Sequence, residues 1–348
     1  MQASTKFYFY NLFTTLLQTT IIQSLVSLGK KMASIDRDNP LIINAKIENQ
    51  WFTPEHQIRA LSYWSDVLTP DHLENWVTKY TFSSQPKRIG LIMAGNIPMV
   101  GMHDLLCILL SGHCALIKYS SDDKQLMQWV RNTLIGIDPD LEERMHEVET
   151  LNQCDALIAT GSNNTSRYFE SYFGHIPRII RKNRSSLAVL SGNETLEDLK
   201  NLSHDIVDYF GLGCRNVSKL LVPEGYDFNL FFEALEFINT IMHHNKYFNN
   251  YTYHKAIFLM NLAPHLDNGF LILKMDPAFF SPLGCLFYSH YTSTSDIYAY
   301  LEEHQDSIQI VVSDPKFIPN SVPFGQSQSP RLNEYADKVD TFQFLNEL

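Results

Sequence analysis

The sequence of 348 residues is 45% hydrophobic, so it can bury a large core, and its length favours two domains. Its 27 basic and 38 acidic residues give a formal net charge of -11 at pH 7, which opposes general binding to nucleic acid or to an anionic membrane surface. The five cysteines include no CxxC pair, so neither a disulfide framework nor a zinc site is predicted, and a reducing, cytoplasmic setting is favoured.

Residues 7–29 form a long uncharged run that follows Lys6. Polar residues interrupt the run, and no small-residue cleavage site follows before Lys30, which argues against a signal peptide. The polar content is also too high for a membrane span. We therefore predict a docked amphipathic helix that ends at Gly29, with its apolar face formed by residues at helical spacing, namely Phe13, Leu17, Ile21, Leu25 and Leu28.

Two Thr-Pro pairs, at residues 53–54 and 69–70, each predict a helix start, because threonine caps a helix and proline suits its first position. Two short helices should follow them and pack on the main body. Ser83-Ser84-Gln85-Pro86 then marks a boundary. Residues 1–85 are thus predicted to be an N-terminal helical segment.

Residues 88–119 have the pattern of one β-α-β unit: an apolar strand at 89–93, an apolar helix at 99–110 and a strand at 114–118. Uniformly apolar strands are typical of a parallel sheet with both faces covered. Asn96 lies in the turn after the first strand, where doubly wound sheets bind ligands. Asn96 is therefore a candidate amide donor to a ligand or an oxyanion. The alternative is that Asn96 and Pro98 only build the turn.

A second strand runs into Gly161-Ser162 and then a helix, and peptide N–H groups at such a helix start suit a phosphate. The chain has no GxGxxG, so the usual dinucleotide fingerprint is absent. The densest basic cluster follows, at Arg178, Arg181, Lys182 and Arg184. It is either solvated surface or a site for a nucleotide phosphate, with Arg181 and Arg184 as candidate contacts.

Cys214 is the candidate nucleophile. Gly211 and Gly213 allow the backbone to present a thiol clear of the preceding helix, and Arg215 places a positive charge next to it. The alternative is a small buried hydrophobic residue, which is the interpretation favoured for the cysteines in apolar runs, Cys107, Cys114, Cys154 and Cys285. His243 and His244 are adjacent and do not share a helical face, so no metal site is predicted.

The order of elements predicts an α/β protein. A nucleotide-binding α/β domain is expected at 86–194 and a thiol-bearing catalytic α/β domain at 195–312. Residues 313–348 are expected to return to the first domain or to form an oligomer interface, so a homo-oligomer is one expected state.

Several segments, taken together, resemble the aldehyde dehydrogenase superfamily. That superfamily's strand, Asn-x-Pro turn, helix and Lys-bearing strand are matched by LIMAGNIPMVGMHDLLCILLSGHCALIKYSS, and its Gly-Ser cofactor turn by ALIATGSNNTSR. Cys214 and Pro323-Phe324-Gly325 follow in the expected order. The resemblance implies a Rossmann-type parallel-sheet cofactor domain and an α/β catalytic domain.

A closer resemblance, from about residue 45 onward, is to the LuxC-type acyl-CoA reductases, the fatty-acyl reductases of luminescence operons and their relatives. The segments that carry it are MAGNIPMVGMHD, RKNRSSLAVLSGNET, YFGLGCRNVSKLLVPEGYDF and PFGQSQSPRLNEYADKVDTFQFL. The resemblance implies that Cys214 is the acylated nucleophile and Asn96 the oxyanion donor. It also implies that Lys118 contacts a cofactor ribose and that Gly161 and Ser162 lie near the cofactor phosphates.

Two departures from the superfamily pattern bear on chemistry. Hydrolytic members carry a glutamate base in an E-L-G-G turn, where this chain has LAVLSGN after the strand at 187–190. Without that base, exchange of the acyl group with CoA is favoured over hydrolysis. The E-x-F-G-P ribose motif is replaced by residues 278–282, AFFSP.

The expected function is reduction of a fatty acyl-CoA to an aldehyde, with NADPH, or NADH, as the cofactor. The alternatives are a CoA-acylating aldehyde dehydrogenase working in reverse, a cofactor-free cysteine acyltransferase or thioesterase, and a non-catalytic scaffold in a complex that processes fatty acids. The expected partners are the fatty acyl-CoA and an acyl-transferring or acyl-activating protein, with no nucleic acid and no membrane span.

Overall fold

A computed structural model describes residues 2–151, 153–161 and 163–348. The chain divides into two compact units: the first comprises Met1–Lys182 with Arg331–Leu348, and the second comprises Asn183–Pro330. The division falls at residue 182, earlier in the chain than the boundary after residue 194 that the sequence suggests. The functional assignment of the two units stays a prediction.

The first unit begins with four helices, α1 (Gln2–Ala33), α2 (Pro40–Glu48), α3 (Pro54–Val67) and α4 (Pro70–Val77). The two predicted helix starts are confirmed, since Thr53 and Thr69 each accept a hydrogen bond from a backbone N–H in the first turn of α3 and α4. Asn39 caps α2 in the same way. None of the helices within the described residues has a long enough apolar stretch to cross a membrane.

The prediction that Gly29 ends the first helix is wrong, because α1 continues to Ala33. Gly29 instead allows a close approach between helices: a Cβ placed on it would lie 3.0 Å from the Leu68 Cβ. Of the predicted apolar face, Ile21, Leu25 and Leu28 are fully buried. The side chain of Phe13 lies outside the described residues.

A parallel five-stranded sheet forms the centre of the first unit, with strand order β3-β2-β1-β4-β5. Chain order reverses direction across the sheet between β1 and β4, as in doubly wound folds. In chain order the elements are β1 (Arg88–Ile92), α5 (Met102–Leu110), β2 (Cys114–Lys118), α6 (Lys124–Ile137), β3 (Met145–Glu147), β4 (Ala156–Thr160), α7 (Asn163–Phe173) and β5 (Arg178–Arg181).

The second unit is built on a six-stranded sheet with strand order β11-β6-β7-β10-β9-β8, in which only the β8–β9 pair is antiparallel. Its elements are β6 (Ser185–Val189), α8 (Leu196–Val207), β7 (Val217–Pro223), α9 (Asn229–Leu235), α10 (Asn245–Met260), β8 (Leu266–Asp267), β9 (Ile272–Met275), β10 (Cys285–Tyr291), α11 (Thr294–Glu303) and β11 (Ile308–Val312).

Alternate residues of the central strands pack into different cores. Leu187 and Leu221 belong to one hydrophobic cluster, whereas their strand neighbours Ala188 and Leu220 belong to another. Side chains of a strand alternate between the two faces of its sheet, so both faces of this sheet are covered. This explains why the central strands are apolar at nearly every position.

Residues 331–348 pack in the first unit and end in the short helix α12 (Thr341–Asn346). The Trp76 indole donates to the Tyr335 hydroxyl at 2.9 Å, and the Tyr80 hydroxyl donates to Asp340 Oδ2 at 2.7 Å. The Tyr80 ring also stacks on Phe342, with 4.5 Å between ring centroids. Residues 313–330 belong to the second unit, so the predicted C-terminal segment is shared between the two units.

A buried ion pair joins helix α5 to strand β5. The Arg181 guanidinium donates to Asp104 Oδ2 and, at 2.9 Å, to the Thr341 hydroxyl. Arg181 and Asp104 are only 7% and 2% exposed. Burial alone would lower the pKa of Arg181, but attraction to the Asp104 carboxylate and the hydrogen bond between them raise that pKa above its ordinary value.

We expect Arg181→Met to cost about 3–5 kcal/mol of unfolding free energy, because it leaves the Asp104 carboxylate buried without a cation. The double variant Asp104→Leu/Arg181→Met should cost less, since no charge remains buried. All four tryptophans lie in the first unit, so tryptophan fluorescence during urea unfolding measures its stability. Arg178→Met, which removes a partly exposed pair with Glu170, is the matched control and should cost no more than about 1 kcal/mol. Equal losses for the two single variants would contradict the buried pair.

Candidate functional site

Three of the predicted site residues lie at one edge of the first sheet. Ile92 at the end of β1 pairs with Lys118 of β2 and is followed along the sheet by Ala159 of β4. The segments that follow these parallel strands therefore leave the sheet at the same, carboxyl edge. They carry the Asn96 turn and Gly161, and Lys118 is the last residue of β2. This edge, at the reversal between β1 and β4, is where doubly wound sheets bind ligands.

Asn96 is exposed, and the turn beneath it is held by buried polar contacts. The buried Asn49 side chain donates to Gly95 O at 3.4 Å and to Asp122 O at 3.3 Å. Gly95 is tightly enclosed: a Cβ there would lie 2.5 Å from Ser120 Oγ. Glycine is thus required at this position, and the backbone that presents Asn96 has little freedom.

The turn continues to Met99, whose φ of 60° is unfavourable for a residue with a side chain. The predicted helix start at Met99 is therefore wrong, and α5 begins at Met102. The Met99 N–H donates to Asp123 Oδ2 at 2.7 Å, which holds this conformation. Asp123 is 3% exposed, and burial raises its pKa well above the ordinary value. Sequence reasoning missed Asp123, since nothing in the SSDDK spacing distinguishes it from Asp122.

Gly161 follows β4 directly, and its N–H lies 3.4 Å from Arg181 O. A Cβ on Gly161 would lie 3.1 Å from the Thr165 Cβ, so α7 approaches this turn closely and a side chain here would be crowded. Lys118 is exposed at the end of β2. An exposed ammonium and a glycine turn before a helix of 11 residues fit an anionic cofactor. Ser162 lies outside the described residues.

The basic cluster is largely committed to internal contacts. Arg178 pairs with Glu170 at 2.8 Å and donates to Gly174 O and Ile176 O, both at 3.2 Å. Arg181 is buried in the pair with Asp104, so its predicted contact with a cofactor phosphate is corrected: its guanidinium faces the interior. Lys182 is exposed, and Arg184 donates to Ile308 O at 3.3 Å.

In the second unit, a strained turn leads into the Cys214 loop. Tyr209 and Phe210 have φ values of 52° and 58°, and Gly211 has a φ of 78°. Left-handed conformations cost roughly 1–3 kcal/mol for residues other than glycine, so their succession needs support from neighbouring contacts. The phenylalanine ring has one such contact, with its centroid 4.1 Å from that of His244.

The buried Asn216 side chain organises the Cys214 loop. Its Oδ1 accepts the Gly213 N–H at 2.8 Å, and its Nδ2 donates to Asp208 O at 2.7 Å and to Asp205 O at 3.2 Å. The Ser186 hydroxyl donates to Cys214 O at 3.0 Å. These bonds fix the backbone on both sides of Cys214, whose side chain is half-buried. Sequence reasoning did not identify Asn216, although it follows the candidate nucleophile closely.

The Pro323-Phe324-Gly325 motif lies beside this loop. Arg215 Nε donates to Ser327 O at 2.5 Å, so the guanidinium next to the thiol is used to hold the segment after the motif. The Asp205 carboxylate accepts the Gly325 N–H at 2.6 Å and the Ser327 N–H at 3.0 Å. Burial raises the pKa of Asp205 to about 6, against the lowering effect of these hydrogen bonds. Two motifs that are distant in sequence thus share one polar network.

The other four cysteines are Cys107, Cys114, Cys154 and Cys285. Burial raises the pKa of each thiol, and that of Cys285 reaches about 12. None of the five cysteines, which all fall in the described ranges, forms a disulfide. Across those same ranges, no group of three or more histidine, cysteine, aspartate or glutamate side chains has the arrangement of a metal site.

Comparison with solved structures identifies the class of fold. Over 86% of this chain and 72% of theirs, indole-3-acetaldehyde dehydrogenase from Pseudomonas syringae and aldehyde dehydrogenase KauB from Pseudomonas aeruginosa match with TM-scores of 0.62 and 0.61 at 11% identity. Aldehyde dehydrogenase C from Pseudomonas syringae matches over 85% of this chain and 71% of its own, with a TM-score of 0.60 at 10% identity. The protein therefore has an aldehyde-dehydrogenase-like α/β fold, as the sequence predicts.

A sequence profile of the acyl-CoA reductase (LuxC) family matches residues 33–235, more than half of the chain. The chain therefore belongs to the LuxC family of acyl-CoA reductases, which confirms the resemblance noted in its sequence. A comparison with curated proteins found no match. Family and fold together indicate an oxidoreductase that acts on acyl or aldehyde groups.

The buried Asp123 should make stability depend on pH. Its pKa is raised in the folded state, so the folded protein binds the proton more tightly than the unfolded chain does. Unfolding free energy should therefore fall as pH rises from the ordinary aspartate pKa, about 3.9, through the raised value. Asp123→Asn keeps an acceptor for Met99 N–H and should make this fall smaller, as measured by urea unfolding across the pH range, while the raised pKa of Asp205 leaves a remaining fall. Asp122→Asn, at the exposed neighbour, should retain it. Parallel curves for all three proteins would contradict a costly ionisation at Asp123.

Proposed function

We propose that the protein reduces a fatty acyl-CoA thioester to the corresponding aldehyde through an acyl-cysteine intermediate on Cys214, with NADPH as the reductant. The observation that carries the proposal is the Cys214 loop, in a chain of the acyl-CoA reductase family. Successive left-handed residues and buried polar side chains hold that loop in a fixed conformation with the thiol half-buried. A purely structural cysteine needs none of these features.

The first step is transfer of the acyl group between two sulfurs. The Cys214 thiolate attacks the thioester carbonyl, the new carbon–sulfur bond forms, and the bond to the CoA sulfur breaks. CoA leaves as a thiolate and takes a proton from solvent. One thioester replaces another, so the step is nearly neutral in energy and needs no strong base. Negative charge develops on the acyl oxygen, and the proposal assigns the Asn96 side-chain amide as a hydrogen-bond donor to it.

The second step reduces the acyl-cysteine. A reduced nicotinamide, when bound, would supply a hydride to the acyl carbon; with a proton from solvent on the acyl oxygen, Cys214 would then hold a thiohemiacetal. The carbon–sulfur bond then breaks, the hydroxyl proton passes to the sulfur, and free aldehyde leaves. Two electrons are consumed for each aldehyde released.

The carboxyl edge of the first sheet is the proposed cofactor site. Lys118 would contact a ribose, and Gly161 with Ser162 would lie near the phosphates. Two proteins with this fold, indole-3-acetaldehyde dehydrogenase and aldehyde dehydrogenase C, were solved with NAD+, the latter together with octanal. This supports a nicotinamide cofactor. Comparing the rates with NADPH and NADH tests the choice between them.

The polar network around the Cys214 loop also affects whether water could hydrolyse the acyl-enzyme in competition with its reduction. Asp205 lies in the polar network around the Cys214 loop, but both of its oxygens accept backbone N–H groups. It is therefore poorly suited to activate water, and the acyl-enzyme should persist until it is reduced or returned to CoA. The same machinery catalyses the reverse, CoA-acylating oxidation of an aldehyde. An acyl-transferring or acyl-activating partner, a homo-oligomer and a cytoplasmic location remain predictions.

The central test is absorbance at the NADPH band after mixing with a long-chain acyl-CoA. Oxidation of NADPH that requires acyl-CoA supports the proposal. A cofactor-free acyltransferase or thioesterase would release CoA without oxidising NADPH, and a non-catalytic scaffold would do neither. Aldehyde should accumulate in equal amount to the NADPH consumed.

Cys214→Ser should abolish the acyl adduct while leaving nucleotide binding unchanged, because it removes the nucleophilic sulfur and alters little else. Intact-mass spectrometry after mixing with acyl-CoA, without NADPH, measures the adduct. Cys154→Ser, which alters another half-buried cysteine, is the matched control and should acylate normally. An adduct of undiminished yield on Cys214→Ser would refute the assignment.

Asn96→Ala should slow single-turnover acylation by roughly a hundredfold to a thousandfold, because an oxyanion donor acts mainly in the transition state and its loss costs about 2.7–4 kcal/mol. Substrate binding should change much less. Asn193→Ala removes an exposed asparagine from another turn and should acylate at the wild-type rate. A residue that only builds the turn behaves differently: Asn96→Ala would then lower the melting temperature and leave acylation unchanged, which would sink the oxyanion role.

A further inference from the structure

The end of helix α2 reaches the turn that carries Asn96. Asn49 directly follows the last residue of α2 and is 7% exposed. Its side-chain amide donates to Gly95 O at 3.4 Å and to Asp122 O at 3.3 Å, and its Oδ1 accepts the Trp51 N–H at 3.0 Å. One buried side chain therefore binds the backbone at points 46 and 73 residues further along the chain.

The two carbonyls that Asn49 binds belong to neighbouring turns of the first sheet. Gly95 lies in the turn after β1, and Asp122 lies in the turn between β2 and α6. Strands β1 and β2 pair in parallel, so both turns leave the sheet at its carboxyl edge. A buried backbone carbonyl needs a hydrogen-bond partner, and the Asn49 amide provides one for each turn. Asn49 therefore fixes one turn relative to the other.

The two turns are also in direct contact on both sides of Asn96. On one side, a Cβ on Gly95 would lie 2.8 Å from the Ser120 Cβ. On the other side, the Met99 N–H donates to Asp123 Oδ2 at 2.7 Å. The Asn96 turn is thus held at residue 95 and at residue 99. The hydrogen bond from Asn49 acts at the residue that immediately precedes Asn96.

The residue before Asn49 binds the same part of the second turn. The Glu48 carboxylate accepts the Gln125 N–H at 3.2 Å in the first turn of α6. Two consecutive residues at the end of α2 therefore contact the segment that joins β2 to α6. That segment begins after Lys118, so the end of α2 contacts both turns to which the proposed function assigns a ligand contact.

The end of a helix does not by itself require asparagine at position 49. The backbone N–H of Asn49 donates to Ala45 O at 2.9 Å, which ends α2 without the side chain. Aspartate or serine could also accept the Trp51 N–H. Neither can donate to two carbonyls, because a carboxylate has no hydrogen to donate and a hydroxyl has only one. The two N–H groups of the amide are used for the two turns.

We propose that Asn49 is a positioning residue for acylation: it holds the Asn96 turn in the conformation in which the Asn96 amide meets the charge that develops on the acyl oxygen. The inference rests on the proposed function, since it takes Asn96 as the oxyanion donor. It gives the N-terminal helical segment a role in the reaction in addition to packing.

The test measures single-turnover acylation by hexadecanoyl-CoA, without NADPH, by intact-mass spectrometry. Asn49→Ala should lower the maximal acylation rate by about tenfold to a hundredfold, because a displaced donor stabilises the transition state less well. The acyl-CoA concentration that gives half the maximal rate should change by less than about twofold. Asn49→Ser keeps an acceptor for the Trp51 N–H but can donate to only one carbonyl, so it should show a smaller loss of rate.

Gln57→Ala is the matched control. Gln57 is a fully buried amide of the same N-terminal segment, and its Nε2 donates to Ile42 O at 3.0 Å and to Phe52 O at 2.7 Å. The substitution therefore also removes two hydrogen bonds to backbone carbonyls, but neither of them holds the Asn96 turn. It should lower the melting temperature and leave the acylation rate within about twofold of the wild type.

A double variant separates positioning from a general loss of structure. If Asn49 acts through Asn96, adding Asn49→Ala to Asn96→Ala should slow acylation by no more than about twofold further, because the donor that it positions is already absent. A further tenfold loss in the double variant would overturn the proposal, as would a wild-type acylation rate in Asn49→Ala.

Amide hydrogen exchange tests the hold on the turn without any chemistry. The peptide that covers residues 94–99 should exchange faster in Asn49→Ala than in Gln57→Ala, and equal exchange would also overturn the proposal. Failure of the proposed function would show separately, as wild-type protein that neither forms an adduct on Cys214 nor oxidises NADPH. Faster exchange at residues 94–99 would then still show that Asn49 holds the turn.

Discussion

The parallel pairing of strands in the first sheet sets the position of everything that we assign to the cofactor. In a parallel sheet, every strand ends at the same edge, so residues far apart in sequence come together without contacting one another through the core. Ile92, at the end of the central strand β1, pairs with Lys118 on one side and with Ala159 on the other. These two residues therefore lie at the same position along their strands. Local hydrogen bonds then fix the turns that follow. Asn49 donates to Gly95 O, and Asp123 accepts the Met99 N–H.

In the second unit, hydrogen bonds from buried side chains fix the irregular segments. Around Cys214, buried side chains bind backbone groups that no strand or helix partner satisfies: Asn216 for the loop itself, Asp205 for the Pro323-Phe324-Gly325 motif, and Lys219 for residues 276–278. A side chain that satisfies buried backbone groups fixes one conformation of a loop, because any other conformation leaves those groups unpaired. The loops gain rigidity at the cost of desolvating polar and charged groups.

Much of the fold could be predicted from the sequence, because local patterns determine it. The strand at 114–118 has the predicted bounds, and the two threonine caps are where the Thr-Pro pairs place them. The errors have a common origin in tertiary contacts. Gly29 has the local pattern of a helix end but is needed where Leu68 approaches α1. Arg181 belongs to a basic run, yet its partner Asp104 lies on a helix distant in sequence. Lys219 has no local signal at all, since the carbonyls that it binds are far along the chain.

The return of residues 331–348 to the first unit has a consequence for how the protein is made. The polypeptide leaves this unit at residue 182, completes the second unit and only then supplies Tyr335, Thr341 and Phe342. During synthesis, the first unit lacks its last residues until nearly 150 further residues have been made. The surface around Trp76 and Tyr80 is uncovered during that time. The second unit is continuous in sequence and can fold as soon as it emerges. The first unit can therefore complete its aromatic packing only after the second unit has been synthesised.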